Sequence, residues 1–326
     1  MIARRAFIAA ALAAAASGRG LADQFDPATT ASAQELRVLL GPGEASALPG
    51  GGFVYGGRTY RGTFERTPDG AIVNTVKLEE YLYSVVPREM PPSWPRAALA
   101  AQAICARTYV LARSDPRRGY DLVPSEIDQV YGGMASESMA ARSAIDATTG
   151  SVLRFADGYA LIVYSSCCGG RTEASCDAWG GAPIAYLSGV RCTTCTTSPY
   201  YRWTRDLDAG AVQRAFASEL APVGALQAVL PGPPDASGRA RTFELRAQGG
   251  SVWIKGNTFR LRIGARVLPS LLIFKMDATG GIAVQGGGLG HGVGLCQWGA
   301  RGLALQGASY SDILRFYFPG TEIDHD

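Results

Sequence analysis

The chain has 326 residues, 47% of them hydrophobic and 18% charged, with a formal charge of +3. That excludes a disordered polymer and leaves room for one large domain or two tightly joined ones. No Lys/Arg-rich run argues for nucleic acid or a polybasic membrane surface, and no apolar stretch after the N-terminus reaches bilayer length; the longest, Val267 to Phe274, is broken by Pro269 and Ser270.

At the N-terminus, Arg4-Arg5 precede an apolar run from Ala6 to Ala16, then small residues and an expected cleavage point after Ala22. This is the pattern of an export leader over residues 1–22, too short to span a bilayer. Arg4-Arg5 followed by Ala6-Phe7-Ile8 also fits a twin-arginine leader, but ordinary secretory leaders carry two arginines too, so the route stays open. Cleavage would remove Arg4, Arg5 and Arg19 and no acid, leaving 28 basic and 28 acidic side chains. The expected location is outside the cytoplasmic membrane, in the periplasm or cell envelope. Residues 23–33 read as a flexible mature terminus and 34–326 as the folded part.

Leu36 to Leu40 is expected as a strand, Gly41 to Gly52 as a glycine-rich loop, and Arg61 to Val76 as a hairpin turning at Pro68-Asp69-Gly70. The hairpin should lead through a strand, Glu79 to Val86, into an elbow where Pro87, Pro91 and Pro92 hold Glu89 and Met90 in non-helical backbone. Glu79 and Glu80 read as solvated or structural. A helix can then start at Ser93, capped by its hydroxyl, with Pro95 in the first turn. Alanines at i,i+3 and i,i+4 spacing up to Arg113 mark it as the buried central helix. Taken alone, a Glu at a proline-flanked helix entrance is more often a solvated end charge than a catalyst.

Further on, Val152 to Phe155 and Ala160 to Tyr164 alternate as strands around Asp157-Gly158. Ala209 to Leu220 is expected as a helix capped by Asp208, Pro231 to Gly238 as a loop, and Phe243 to Ala247 with Val252 to Lys255 as a hairpin. Two more helices are expected, Gln297 to Leu305 and Asp312 to Tyr317, the second capped by Ser311 and stopped by Pro319-Gly320. Without a regular βαβ period the fold class reads as α+β: hairpins and strands around a central small-residue helix, with a cleft carrying Glu89.

Four ordered blocks resemble the SpoIID/LytB family of bacterial peptidoglycan-acting proteins. The first comprises Leu78 to Leu82, Val85 to Pro87, Glu89 to Pro91, Trp94-Pro95, Gln102 and Ala106 to Tyr109. The others are Gln129 to Gly133 (QVYGG), Gly169 to Glu173 with Asp177 and Trp179 (GGRTE…D.W), and Gly290 to Gly294 with Gln297 to Ala300 (GHGVG..QWGA). The family's core motifs fall at about 70–150 and its glycine-rich loop region at 281–320. Within 286–294 glycine takes six of nine positions, which lets backbone amides face a ligand. A tight structural turn, with His291 bonding backbone, is the alternative for that loop.

The resemblance implies lytic transglycosylase chemistry on peptidoglycan glycan strands, with Glu89 as the single acid and base. Arg107, Gln129, Tyr131, His291 and Gln297 would line the cleft and bind glycan. The bland alternative for Arg107 is that it satisfies a helix end or a neighbouring carboxylate. A reading of another class is a non-catalytic peptidoglycan binder that stimulates a separate cell-wall amidase.

Seven cysteines are present, five of them between Cys167 and Cys195. In an exported protein the default is disulfide bonding, here two bridges drawn from Cys168, Cys176, Cys192 and Cys195. A structural zinc at the cluster competes, since a C-x-x-C beside another close pair can close a tetrahedral site, and free thiols remain a third outcome. Relatives usually carry His-Ser-Thr-Ser where this chain has Ser165 to Cys168, and some bind metal there; no metal site and no cofactor is carried over. Cys296 beside His291 offers too few ligands for a metal and is usually Ser in relatives.

Overall fold

The computed structural model describes residues 34–114, 117–124, 129–277 and 281–326; the leader and mature terminus expected over residues 1–33 lie outside the described residues. The chain divides into two compact units. The first runs up to Val163 and adds Ala304–Arg315 and Gly320–Asp326, while the second comprises Tyr164–Leu303 and Phe316–Pro319. Among the described residues no helix is long and apolar enough to cross a membrane.

In the first unit, the strand Glu35–Pro42 lies antiparallel to Ala71–Lys77, setting Leu36 opposite Val76 and Val38 opposite Asn74. Thr63–Arg66 pairs on the other side of Ala71–Lys77, which forms the expected hairpin. Its turn is held by the Thr67 hydroxyl, which accepts from the Ala71 amide at 3.0 Å. The stretch expected as loop contains the short strand Ala45–Ala47, joined in a small sheet to Phe53–Tyr55 and Arg58–Tyr60.

From Lys77 the chain passes straight into helix α1 (Leu78–Glu89), where a strand and an elbow were expected. Pro87 lies inside α1 and removes a helical hydrogen bond, at a cost of about 3 kcal/mol. Against that, Leu78, Tyr81, Leu82, Val85 and Val86 are completely buried, and burying a large apolar side chain gains roughly 1.5–3 kcal/mol. Burial wins, and the helix runs on. What ends it is Pro91, which drives its predecessor into extended backbone; Met90 has φ −129° and ψ 136°. Glu89 is therefore the last helical residue.

Helix α2 (Arg96–Leu111) starts from Pro95, whose carbonyl accepts from the Ala98 amide at 2.9 Å; no side chain caps it, so the Ser93 cap does not form. Everything from Ala98 to Leu111 is buried, as a central helix requires. Helix α3 (Met139–Asp146), unforeseen in the sequence, packs on α1 and α2 and is capped by Ser138, whose Oγ accepts from the Ala141 amide at 3.1 Å. The strand Ser151–Phe155 pairs with Gly158–Tyr159 and with Glu322–His325. The expected strand over Ala160 to Tyr164 shrinks to Tyr164–Ser165, in the second unit. The C-terminal helix Tyr310–Tyr317 is capped by Ser309 and not Ser311: the Ser309 hydroxyl accepts from the Asp312 amide (3.2 Å) while the Asp312 carboxylate accepts from the Ser309 amide (3.0 Å).

In the second unit, Ile282–Gly287 lies between Trp203–Leu207 and Leu272–Asp277, all antiparallel. Thr242–Ala247 forms the expected hairpin with Gly250–Lys255 and pairs on its other edge with Leu226–Pro231. Phe243 and Phe216 flank Phe259, with ring centroids 4.2 and 5.4 Å away, at the heart of this core. The helix expected from Ala209 to Leu220 is two, Ala209–Ala215 and Ala217–Leu220. Phe216 leaves helical backbone between them (φ −121°, ψ 28°) and buries its ring. Asp208 caps the first, accepting from the Gly210 amide at 2.8 Å, and Gln297–Leu305 forms as expected. Helices and mostly antiparallel strands in both units make the fold α+β.

One node ties the first unit together. Arg107, with no exposed side-chain surface, donates from Nε and Nη2 to the two Glu79 oxygens (2.8 and 2.7 Å) and from Nη1 to the Ser151 carbonyl (2.9 Å). Neither Glu79 nor Arg107 is a solvated or cleft residue; each is the other's buried partner. Arg107→Ala leaves a buried carboxylate without its cation and is expected to lower unfolding free energy by about 3–5 kcal/mol, whereas the apolar pair Glu79→Leu/Arg107→Met is expected to lose far less. Urea unfolding of both variants checks this.

Candidate active site

Glu89 ends α1 with its side chain half-buried. Val130 faces it, its amide 3.5 Å from Glu89 Oε1, the outer edge of hydrogen-bond range, so the amide orients the carboxylate more than it stabilises it. The segment around Val130 is strapped along α1. Gly132 donates its amide to Ser84 Oγ at 3.0 Å, and the Tyr131 hydroxyl donates to Asn74 Oδ1 at 2.8 Å. The Tyr131 ring packs against Tyr60 and Tyr81, with centroids 5.4 and 4.9 Å away. Gly133 has to be glycine, because its φ is +75° and a Cβ there would sit 2.5 Å from the Thr59 carbonyl oxygen.

Three residues expected as glycan contacts are therefore interior. Arg107 is held by Glu79, Tyr131 is buried on Asn74, and Gln129 is buried with Nε2 donating to the Ala106 carbonyl at 3.2 Å. Their hydrogen bonds run to the protein interior, Arg107 to Glu79 and Ser151, Gln129 to Ala106 and Tyr131 to Asn74. Asn74, which orders this packing, went unnoticed in the sequence because a single Asn in an alternating strand carries no pattern.

In the second unit, His291 is engaged at both ring nitrogens. Nε2 lies 2.9 Å from the Tyr164 carbonyl and must donate, while Nδ1 accepts from the Val293 amide at 3.1 Å, so the ring is the neutral Nε2–H tautomer. Trp179 stands against it at 5.1 Å. Burial of the ring, reinforced by the positive charges of Arg260 and Arg239, pushes its pKa down to about 4. His291 thus braces the turn through backbone. Gln297 is buried at the first position of its helix.

Beneath the same loop lies Arg239, almost wholly buried, which the sequence did not single out because it simply follows a stretch read as loop. It donates to the Cys168 carbonyl (2.8 Å) and the Arg171 carbonyl (3.1 Å), with Nε 3.4 Å from Glu173. Burial pushes the Glu173 carboxyl up to about 8 despite the opposing pull of Arg239. Gly292, at φ +81°, leaves room for that guanidinium; a Cβ would lie 2.2 Å from Nη2.

None of the seven cysteines is in a disulfide in the structure, so the two expected bridges are not present in it. Cys168 and Cys195 hold their sulfurs 3.7 Å apart, far beyond a disulfide bond of about 2.05 Å. Cys176 lies outside the cluster, on the short helix Ser175–Trp179. Its expected place is taken by Cys296, so that Cys168, Cys192, Cys195 and Cys296 converge.

The motif blocks thus fall into two α+β units, one with Glu89 at the end of α1, which packs against α2 and α3, the other with the glycine loop. The profile of the Stage II sporulation protein family, SpoIID, matches residues 68–155, which hold all three helices. Stage II sporulation protein D of Bacillus amyloliquefaciens is 30% identical over 279 residues, covering 79% of this chain and 77% of that protein. An uncharacterized protein of Brachyspira hyodysenteriae is 30% identical over 280 residues, covering 83% of this chain and 74% of its own length. The Amidase enhancer of Bacillus subtilis is 30% identical over 289 residues, 74% of this chain but 40% of that longer protein. The chain belongs to the SpoIID family.

His291 gives a pH prediction. Its folded pKa of about 4 lies below the ordinary 6.5, so between those values the unfolded chain binds more protons, and stability falls as pH drops through that window and is flat above it. Thermal unfolding across pH 3.5–7.5 should show wild type losing more than His291→Gln on acidification, by roughly 1–3 kcal/mol; parallel curves would show that the ring is not held neutral.

Proposed function

We propose that this protein is an exported lytic transglycosylase that cleaves peptidoglycan glycan strands with Glu89 as its one acid and base. The observation that carries this reading is the placement of Glu89. It closes a largely buried helix, is itself only half-buried, and lies within the family-matched segment. Glu79, in the first turn of the same helix, is by contrast a structural acid, buried against Arg107 at 2.7 Å.

In the reaction, protonated Glu89 gives its proton to the glycosidic oxygen leaving N-acetylmuramic acid. The resulting carboxylate then takes the proton of that sugar's 6-hydroxyl as its oxygen closes on the anomeric carbon. The products are a free 4-hydroxyl on the departing N-acetylglucosamine strand and a 1,6-anhydro ring, and Glu89 ends protonated again. Because the nucleophile belongs to the substrate, no second carboxylate is needed to activate water, and the intramolecular attack has the advantage of proximity.

A second reading is a peptidoglycan binder that stimulates a cell-wall amidase. It is favoured by the relative named Amidase enhancer and by the burial of Arg107, Gln129 and Tyr131, which withdraws three expected sugar contacts. Glu89→Gln separates the two. It keeps size and hydrogen bonding but cannot shuttle a proton, and is expected to cut anhydro-muramyl ends by at least about 10²-fold with the melting temperature unchanged. Mass spectrometry of glycan strands incubated with the mature protein reads this. Wild-type protein that releases only reducing ends would make it a hydrolase, and one that binds strands without cutting them would leave the enhancer reading.

A further inference from the structure

Four cysteines from three separate stretches of the second unit meet at one point. Cys168 follows the strand Tyr164–Ser165, Cys192 and Cys195 form a C-x-x-C, and Cys296 ends the strand Leu295–Cys296 ahead of the helix Gln297–Leu305. All four are fully buried, and their sulfurs lie within 4.8 Å of one another. From this convergence we infer that they form a closed, structural tetrathiolate site for one zinc ion.

The spacing fits. Zinc–thiolate bonds of about 2.3 Å in a tetrahedron set the sulfurs about 3.8 Å apart, and Cys168 and Cys195 stand at 3.7 Å. An iron–sulfur cluster, which interposes several irons and sulfides between the thiolates, would need more room. Four sulfurs also complete the coordination shell, with no open position for water or substrate. Thiolate softness selects zinc over magnesium, calcium or manganese.

The surroundings favour thiolates over thiols. The amides of Cys168 and Gly299 both point at Cys296 Sγ, at 3.2 and 3.3 Å, and the Tyr317 hydroxyl lies 3.2 Å from Cys192 Sγ. A neutral thiol is a poor acceptor for two amides, whereas a metal-bound thiolate is a good one. Packing around the cluster leaves no slack. A Cβ on Gly299 would sit 1.9 Å from the Tyr317 hydroxyl and 2.6 Å from Cys192 Sγ, which gives the glycine of the QWGA block a physical reason.

Binding replaces four S–H bonds with four S–Zn bonds and releases four protons to solvent. No oxidant or reductant is involved. The ion would pin together three stretches whose outer cysteines, Cys168 and Cys296, are 128 positions apart.

The test is elemental analysis of the full-length protein purified without chelators, together with reconstitution by cobalt(II) alone. Wild type and the control Cys176→Ser should each carry about one zinc per chain, and the cobalt form should show thiolate-to-metal charge-transfer absorption with tetrahedral d–d bands. Cys195→Ser and Cys296→Ser should lose the metal. Should those variants fail to fold, the wild-type metal content and cobalt spectrum still decide. Metal-free wild type with Cys168, Cys192, Cys195 or Cys296 in disulfides by non-reducing peptide mapping would overturn the proposal. So would one iron per chain, or an octahedral cobalt spectrum.

Discussion

The helix that carries Glu89 is anchored in the first unit by one desolvated ion pair. Arg107 and Glu79 tie α1, α2 and the strand Ser151–Phe155 at a single point. A buried charge without its counterion is so costly that these three elements have little freedom to shift relative to one another. Ten residues separate Glu79 from Glu89, about 15 Å along the helix and about 80° around its axis. The difference between the two carboxylates lies along the helix: residues Leu78 to Val86 are buried all round except Glu80, and burial relaxes only in the last turn, where Glu89 stands half-buried. The helix thus carries a structural acid in its first turn and a candidate catalytic acid in its last.

The α+β class was legible because hairpin alternation, caps and the alanine-rich helix each leave local patterns. The hairpin at Thr63–Lys77, the central helix, the Asp208 cap and the helix Gln297–Leu305 all formed as expected. Three prolines around Glu89 were misleading, since local stiffness says nothing of how much apolar surface a helix will bury through Pro87. The division into two units was not legible, because the first is completed by residues after Ala304 and no composition shift marks the crossings.

For the candidate site, the family blocks located the right stretches but not the duties of their residues. Glu89 stands half-buried at the end of α1. Arg107, Gln129, Tyr131 and His291 instead spend their polar atoms on protein, much of it backbone. Motif positions that look chemically active can be scaffolding whose product is a rigid carboxylate or a rigid glycine loop. Arg239 was passed over and Cys296 set aside for a related reason: the Cys168 carbonyl and amide that they meet are 71 and 128 positions away, and no spacing rule reaches that far.

The strand Glu322–His325 pairs with Ser151–Phe155, and Arg154 bonds Asp326 across 172 positions of sequence. Between these two strands the chain makes the whole second unit. During synthesis, then, the edge of Ser151–Phe155 must stand open until residue 325 has emerged, because its partner does not yet exist. Contacts of such long range are slow to form and leave a sheet edge available to wrong neighbours in the meantime. For this fold the vulnerable interval is set by translation, and a pause late in the message would prolong it.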